Sequence, residues 1–251
     1  MRKMQLIFLK MTVLQNKTGS IFLIILLMVT GILSKSLAQE KHQTVTDIDG
    51  NVYKTVAIGE QEWMTENLKA TRYNDGTPIP NVTDITEWRN SDAPAYVWYD
   101  NDISYKDIYG ALYNGHAVTT NKELCPAGWR IARDEDWKKL EMFMGMSSEQ
   151  ANGIVWRGDN EGGKLKEAGT EKWSSPNKGA TNESGLTIIP SGRRDSSGKF
   201  YDMTTGSTIW TSTETSISCA YYRHFSSTNE GIGRNPNGDK KFGFATRCIK
   251  K

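Results

Sequence analysis

The sequence predicts an α+β fold: one compact domain with an antiparallel sheet, one or two helices and long loops. Three observations carry this. The C-terminal third breaks into short β-rich runs separated by clusters of Ser, Gly, Asn and Asp. One stretch alone, Asp134 to Met146, has a clear helical period. Eight tryptophans and ten tyrosines supply large side chains for a core, and most of them are expected to be buried.

The N-terminal 38 residues differ from the rest. Arg2, Lys3, Lys10 and Lys17 give a basic start, and Ile21 to Leu33 is an apolar run. Thirteen residues rise roughly 20 Å as a helix, short of a ~30 Å hydrocarbon core. Ser36, Leu37 and Ala38 then place small residues at the −3 and −1 positions of a cleavage site. Residues 1–38 are therefore read as a signal peptide cleaved after Ala38, with a secreted, periplasmic or cell-surface location. The alternative is an uncleaved membrane anchor, since Ile7 to Leu14 is also apolar. Residues 39–251 form the single domain. The segment removed holds five basic residues and no acid. The balance of 31 basic against 29 acidic residues becomes 26 against 29, a net charge of −3. No block of Lys or Arg remains to track phosphates, so nucleic acid is not an expected partner.

Asp49-Gly50 ahead of the alternating run Val52 to Ile58 reads as a hairpin turn. The acids at Asp47 and Asp49 do not make a calcium loop, because Gly50 comes too early and the distant glutamate is missing. Arg72 to Asn121 has no sustained period and is expected to be loop-rich, with short strands around Tyr96 to Tyr99. In the helix, Trp137, Leu140 and Met144 share one face with Phe143 beside them. Asp134, Glu135 and Asp136 occupy the first turn, where carboxylates suit the helix dipole better than a metal site. A second helix is expected over Gly163 to Ala168. Strands are expected at Leu186–Pro190, Ser207–Thr213, Ala220–Ser226 and Gly243–Ile249. Loops are expected at 194–199, 227–233 and 235–240.

Catalytic signatures are lacking. His42, His116 and His224 have no metal-ligand spacing, and there is no nucleophile elbow, phosphate loop or dinucleotide fingerprint. No cofactor and no metal are expected. Cys219 lies an odd number of residues before His224, so a regular strand points the two to opposite faces. Trp210 and Glu214 are the candidate ligand-binding residues: an acid at a strand end beside an aromatic suits a sugar or a calcium ion. The competing reading of Glu214 is a solvated loop acid. Cys125, Cys219 and Cys248 allow three single bridges in an oxidising compartment, with one thiol left over.

Several segments together resemble the Fibrobacter succinogenes major paralogous domain family of secreted bacterial proteins. They are DIDGNVYKTVAIGEQEWMTENL from Asp47, LCPAGWRIARDEDWKKL from Leu124, GGKLKEAGT from Gly162, NESGLTIIPSGR from Asn182, IWTSTE from Ile209 and FGFATRCI from Phe242. The Gly-Trp-Arg-Ile and Arg-Cys elements also look like the C-type lectin-like fold. That resemblance implies a Cys125–Cys248 disulfide with Cys219 spare. The family places Pro and Ser or Thr before the helix, where this chain has Ala132 and Arg133. Arg133 cannot cap as a serine does, so Asp134 is expected to take over. The calcium-lectin triplets Glu-Pro-Asn and Gln-Pro-Asp are absent. The function expected is non-catalytic recognition of a glycan or a surface protein. A polysaccharide-active enzyme using unidentified carboxylates and a structural surface protein are the alternatives. Contact with a membrane is expected only through the signal segment, should it stay uncleaved.

Overall fold

A computed structural model describes residues 43–251, and the signal-peptide expectation lies outside them. Two sheets and a few short helices make up the domain. The smaller sheet holds β1 (Thr44–Thr46), β2 (Val52–Ile58), β3 (Gln61–Met64), β6 (Trp129–Ile131) and β14 (Cys248–Lys250), in the order β1-β2-β3-β14-β6. The larger has nine strands. It runs from β4 (Tyr96–Val97) and β5 (Leu112–Asn114) through β13 (Gly243–Thr246) and β8 (Ser191–Arg194). It continues into β10 (Gly206–Glu214), β11 (Cys219–Ser226), β12 (Ile232–Asp239) and β7 (Val155–Arg157). Strand β9 (Phe200–Met203) pairs with β8.

Pairing is mainly antiparallel, but β10 runs parallel to both β8 and β13. The chain reverses once from β8 into its partner β9 and again into β10, and two reversals restore the original direction. Between β1 and β2 the turn spans residues 47–51. Gly50 sits at φ +82°, and the Asp47 carboxylate accepts the N–H groups of Asp49 and Asn51 and the Tyr53 hydroxyl. The carboxylate is thus spent on the turn.

The loop-rich stretch is built from single turns too short to show a period: α1 (Ile85–Asn90), α2 (Lys106–Tyr109) and α3 (Gly115–Thr119), with two 3₁₀ turns between Tyr99 and Tyr105. Further on come α4 (Asp134–Phe143), α5 (Ser147-capped, Ser148–Asn152) and α6 (Glu161–Leu165), the last starting two residues before the expected position. Three expectations are corrected, the first being the single strand Gly243–Ile249, which breaks at Arg247 into β13 and β14 in different sheets. Leu186–Pro190 makes only an isolated bridge at Ile188. The Arg247 guanidinium takes the carbonyls of Leu186 and Thr187, and Thr187 sits at φ 56°. Residues 235–239 are strand rather than loop: β12 continues through them, absorbing Pro236 where the register with β11 shifts.

Strands β10 and β11 separate two apolar clusters. Ile209 and Phe225 face α4, joining Trp137, Leu140, Trp63 and Ile232. On the other face, Trp210 joins Phe244, Tyr113 and Trp98. Trp137 and Leu140 are fully buried and Met144 nearly so, as the helical period requires. Phe143 departs from the expectation. It is 63% exposed and lies over the bare backbone of Gly59.

The helix start also differs from the expected cap. The Asp136 carboxylate accepts the Arg133 N–H at 2.7 Å, and Thr213 of β10 accepts the Asp134 N–H at 3.0 Å. Asp134 itself does not cap. Its carboxylate receives Arg223 and Arg234, while Glu141 one helical stretch on receives Arg157 and Arg223. Burial works against ionising Asp134, but Arg234 and Arg223 outweigh it and hold the carboxyl below its usual range. Two of the first-turn acids are thus interior ion-pair partners; Glu135 alone stays in solvent.

Cys125 and Cys248 form a disulfide with Cα atoms 5.9 Å apart, within the usual span, and Cys219 is free.

Candidate functional site

The expected ligand pair does not form a site. Trp210 is fully buried, its Nε1 donates to the Tyr113 carbonyl at 2.9 Å, and its ring lies 4.4 Å from that of Phe244. No ligand reaches it, because the side of β10 it occupies is the one covered by the aromatic cluster. Glu214 is half-exposed at the end of β10 and forms an ion pair with Lys240. That hydrogen bond holds its carboxyl below the ordinary range. The two residues diverge, one into the core and one to the rim.

Two residues earlier along the same face of β10, Thr208 is buried at the floor of a surface trough. Strand register sets a row of side chains across it. Trp156 of β7 stands opposite Gly233, Gly233 opposite His224, and His224 opposite Thr208. The parallel pairing of Ser207 with Gly192 brings Arg193 alongside Thr208, and Tyr201 of β9 stands opposite Arg193. A trough of about 370 Å³ follows, lined by Arg193, Asp202, Thr208, Tyr222, His224, Phe242 and Phe244. Alternation along β11 explains it: Tyr222 and His224 face the trough, whereas Arg223 and Phe225 are buried on the side of α4.

Each group is held. Arg193 Nε donates to Asp202 Oδ2 at 2.6 Å, with both side chains about one-third exposed, and the guanidinium lies 5.5 Å from the Tyr201 ring centroid. Thr208 Oγ1 and His224 Nδ1 share a hydrogen bond at 3.0 Å. Burial lowers the His224 pKa from 6.5, and Arg193 adds to the effect against the opposing pull of Asp202. The imidazole is therefore neutral at neutral pH. Its ring meets Trp156 edge-on at 5.4 Å across Gly233, where an added Cβ would sit 3.1 Å from His224 Cβ. Seven of the eight tryptophans are buried; Trp156, 40% exposed, is the exception, and it flanks this row.

A larger hollow of about 890 Å³ runs along the small sheet. Most of its polar groups are engaged: Arg130 chelates Asp136, Lys250 pairs with Glu62, and the Gln61 amide bonds Trp63 and the Asp136 carbonyl, while Glu60 and Lys139 have no partner among the described residues. The trough is smaller, and beside its aromatic rings the Arg193 Nη groups and Asp202 Oδ1 have no partner among the described residues, which leaves donors and an acceptor to orient a ligand. Sequence reasoning missed Arg193, Asp202, Tyr222, Phe242, Trp156 and Tyr201. The alternation of Tyr222 and His224 was readable, but the parallel register that brings Arg193 beside Thr208 carries no local sequence signal.

The model of the Fibrobacter succinogenes major domain matches residues 56–250. The chain belongs to that family. The match takes in every trough residue and both cysteines of the disulfide, and begins inside β2. No curated protein and no solved structure matches the chain. Among the described residues no group of three or more His, Cys, Asp or Glu is placed to hold a metal, and no helix is long and apolar enough to cross a membrane.

Proposed function

We propose that this Fibrobacter succinogenes major domain is an exported, non-catalytic recognition domain, and that its ligand is a saccharide seated in the trough. The observation that carries this reading is the trough, where Arg193, Asp202 and His224 stand beside the rings of Tyr222 and Phe242, with the exposed rings of Tyr201 and Trp156 flanking the strand row on either side. Aromatic rings offer flat apolar surfaces to the C–H faces of a sugar, and the interleaved polar groups meet its hydroxyls. Among the described residues Asp202 is the one carboxylate lining the trough, and it is ion-paired with Arg193. Glycoside hydrolysis ordinarily uses two carboxylates, one of which must carry a proton to the leaving group. That argues against the enzyme alternative at this site.

The antiparallel sheet, long irregular loops and a disulfide joining the region before α4 to the last strand also support the C-type lectin-like kinship. The disulfide agrees with an oxidising compartment. Cleavage after Ala38 is proposed for the N-terminal segment, so sequencing of the exported protein should begin at Gln39; a chain that retains Met1 in the membrane fraction overturns it. The binding reading is tested by a glycan and protein array together with a general glycosidase screen. Saccharide binding without turnover is expected. Turnover abolished by an acid-to-amide change points to the enzyme, retention of a protein ligand alone to a protein-recognition domain, and silence in both to a structural surface protein.

A further inference from the structure

The recognition reading leaves the class of saccharide open, and the Arg193–Asp202 pair bears on it. We infer that this pair is the specificity device of the trough and selects neutral sugars bearing vicinal hydroxyls over acidic ones. The inference rests on the saccharide-binding reading above.

The pair makes a single hydrogen bond, from Nε to Oδ2. Among the described residues, both Nη groups of Arg193 and Oδ1 of Asp202 have no partner, and each side chain keeps about one-third of its surface exposed. Donors and an acceptor therefore stand side by side, at the spacing one salt bridge imposes. Two neighbouring hydroxyls match that pattern: one accepts from Nη, the other donates to Oδ1. Arginine and aspartate here are tied in place, so little rotamer freedom is lost on binding. Asp202 reaches the arginine from φ 64°, a left-handed conformation that Asp enters more readily than most residues.

Charge decides the rest. A uronate or other acidic sugar needs an uncompensated cation. Arg193 is already neutralised by Asp202, and His224, the other nitrogen base of the trough, is uncharged at neutral pH. A sugar carboxylate placed here would meet the Asp202 carboxylate as a like charge. In the same trough, Tyr222 and Phe242 supply partly exposed rings on which the apolar face of a pyranose can rest.

The test titrates the full chain, recovered from its producing cells, with two oligosaccharide panels at pH 7.5. One is neutral (cello-, xylo-, manno- and galacto-oligosaccharides), the other acidic (oligogalacturonate and oligomannuronate). At least one neutral series should bind, with the acidic series tenfold weaker or worse. Arg193→Met and Asp202→Asn should each weaken neutral binding at least tenfold. Asp202→Asn should also raise affinity for the acidic series, because it frees the arginine; a merely structural role for Asp202 predicts no such gain. Both positions are partly exposed, and unchanged thermal transitions would show that the variants fold. Preference for the acidic series, or neutral binding that neither variant alters, overturns this inference and leaves saccharide recognition standing. Failure of the folded protein to bind any member of either panel overturns both.

Discussion

Trp137 shows how much one side chain holds. It is fully buried, 5.0 Å from Trp63 and 6.2 Å from Phe225 between ring centroids, yet its Nε1 has no hydrogen-bond partner among the described residues. Trp137→Ala should lower unfolding stability by about 3–5 kcal/mol. Trp137→Phe keeps most of the apolar contact and removes the unpartnered donor, so its cost should be much smaller, and chemical denaturation of the two variants checks the contrast. His224 supplies a pH test. Its pKa is below 6.5 in the folded domain, so the unfolded chain takes up the proton first. Its contribution is intact above pH 6.5 and is lost as the pH falls from 6.5 toward the lower folded value. The stability difference between wild type and His224→Gln should therefore shift in favour of the variant on going from pH 7.5 to 5.5; a constant difference would refute it. At this scale the sequence was legible where period sufficed, as for Trp137, Leu140 and Met144. It was not legible where burial depended on a distant element. Trp210 and Trp156 are both strand tryptophans, and only the cover over each decides that the first is core and the second is surface.

The helices and strands are tied to their loops by buried cations that face carbonyls in place of carboxylates. Lys166, just beyond α6, donates to the carbonyls of Lys178, Ser226 and Asn229 at 2.8–3.0 Å. Burial lowers its pKa to about 8, which still leaves an ammonium at neutral pH with three N–H groups for three acceptors. Arg194 does the same for Val82, Thr83 and Gly198 while stacked between Trp88 and Phe200. Arg247 does it for Met64, Leu186 and Thr187. Lys166→Met fills similar volume but strands three carbonyls, and each costs about 1–3 kcal/mol if no water replaces the ammonium. A loss of at least ~3 kcal/mol is expected by denaturant titration, with faster amide exchange in the loops around 178 and 229. Element existence was readable for α4, β10 and β11, whose patterns are longest. The strand expected at 186–190 failed because Arg247, sixty residues away, claims the carbonyls a ladder would use. Such long-range hydrogen bonds leave no local trace.

Across the whole molecule, the Cys125–Cys248 disulfide closes a loop of sequence separation 123 between the approach to α4 and β14. The chain-entropy estimate for so long a loop is about 4.7 kcal/mol, an upper figure. Replacing both cysteines by alanine should lower stability by up to that amount. Non-reducing peptide mapping of the wild type should recover a 125–248 pair and one alkylatable thiol at Cys219. The pairing was legible through the resemblance to a family, whereas the cysteines alone allowed three answers. The order of strands has a further consequence. Residues 243–250 supply β13, which lies inside the large sheet, and β14, which lies between β3 and β6 in the small one. Strands β7 to β12 can pair with one another, and β1 to β3 likewise, before that segment exists, but β4–β5 joins the large sheet only through β13 and β6 joins the small one only through β14. One eight-residue stretch at the end of the chain is thus the closing piece of both sheets at once.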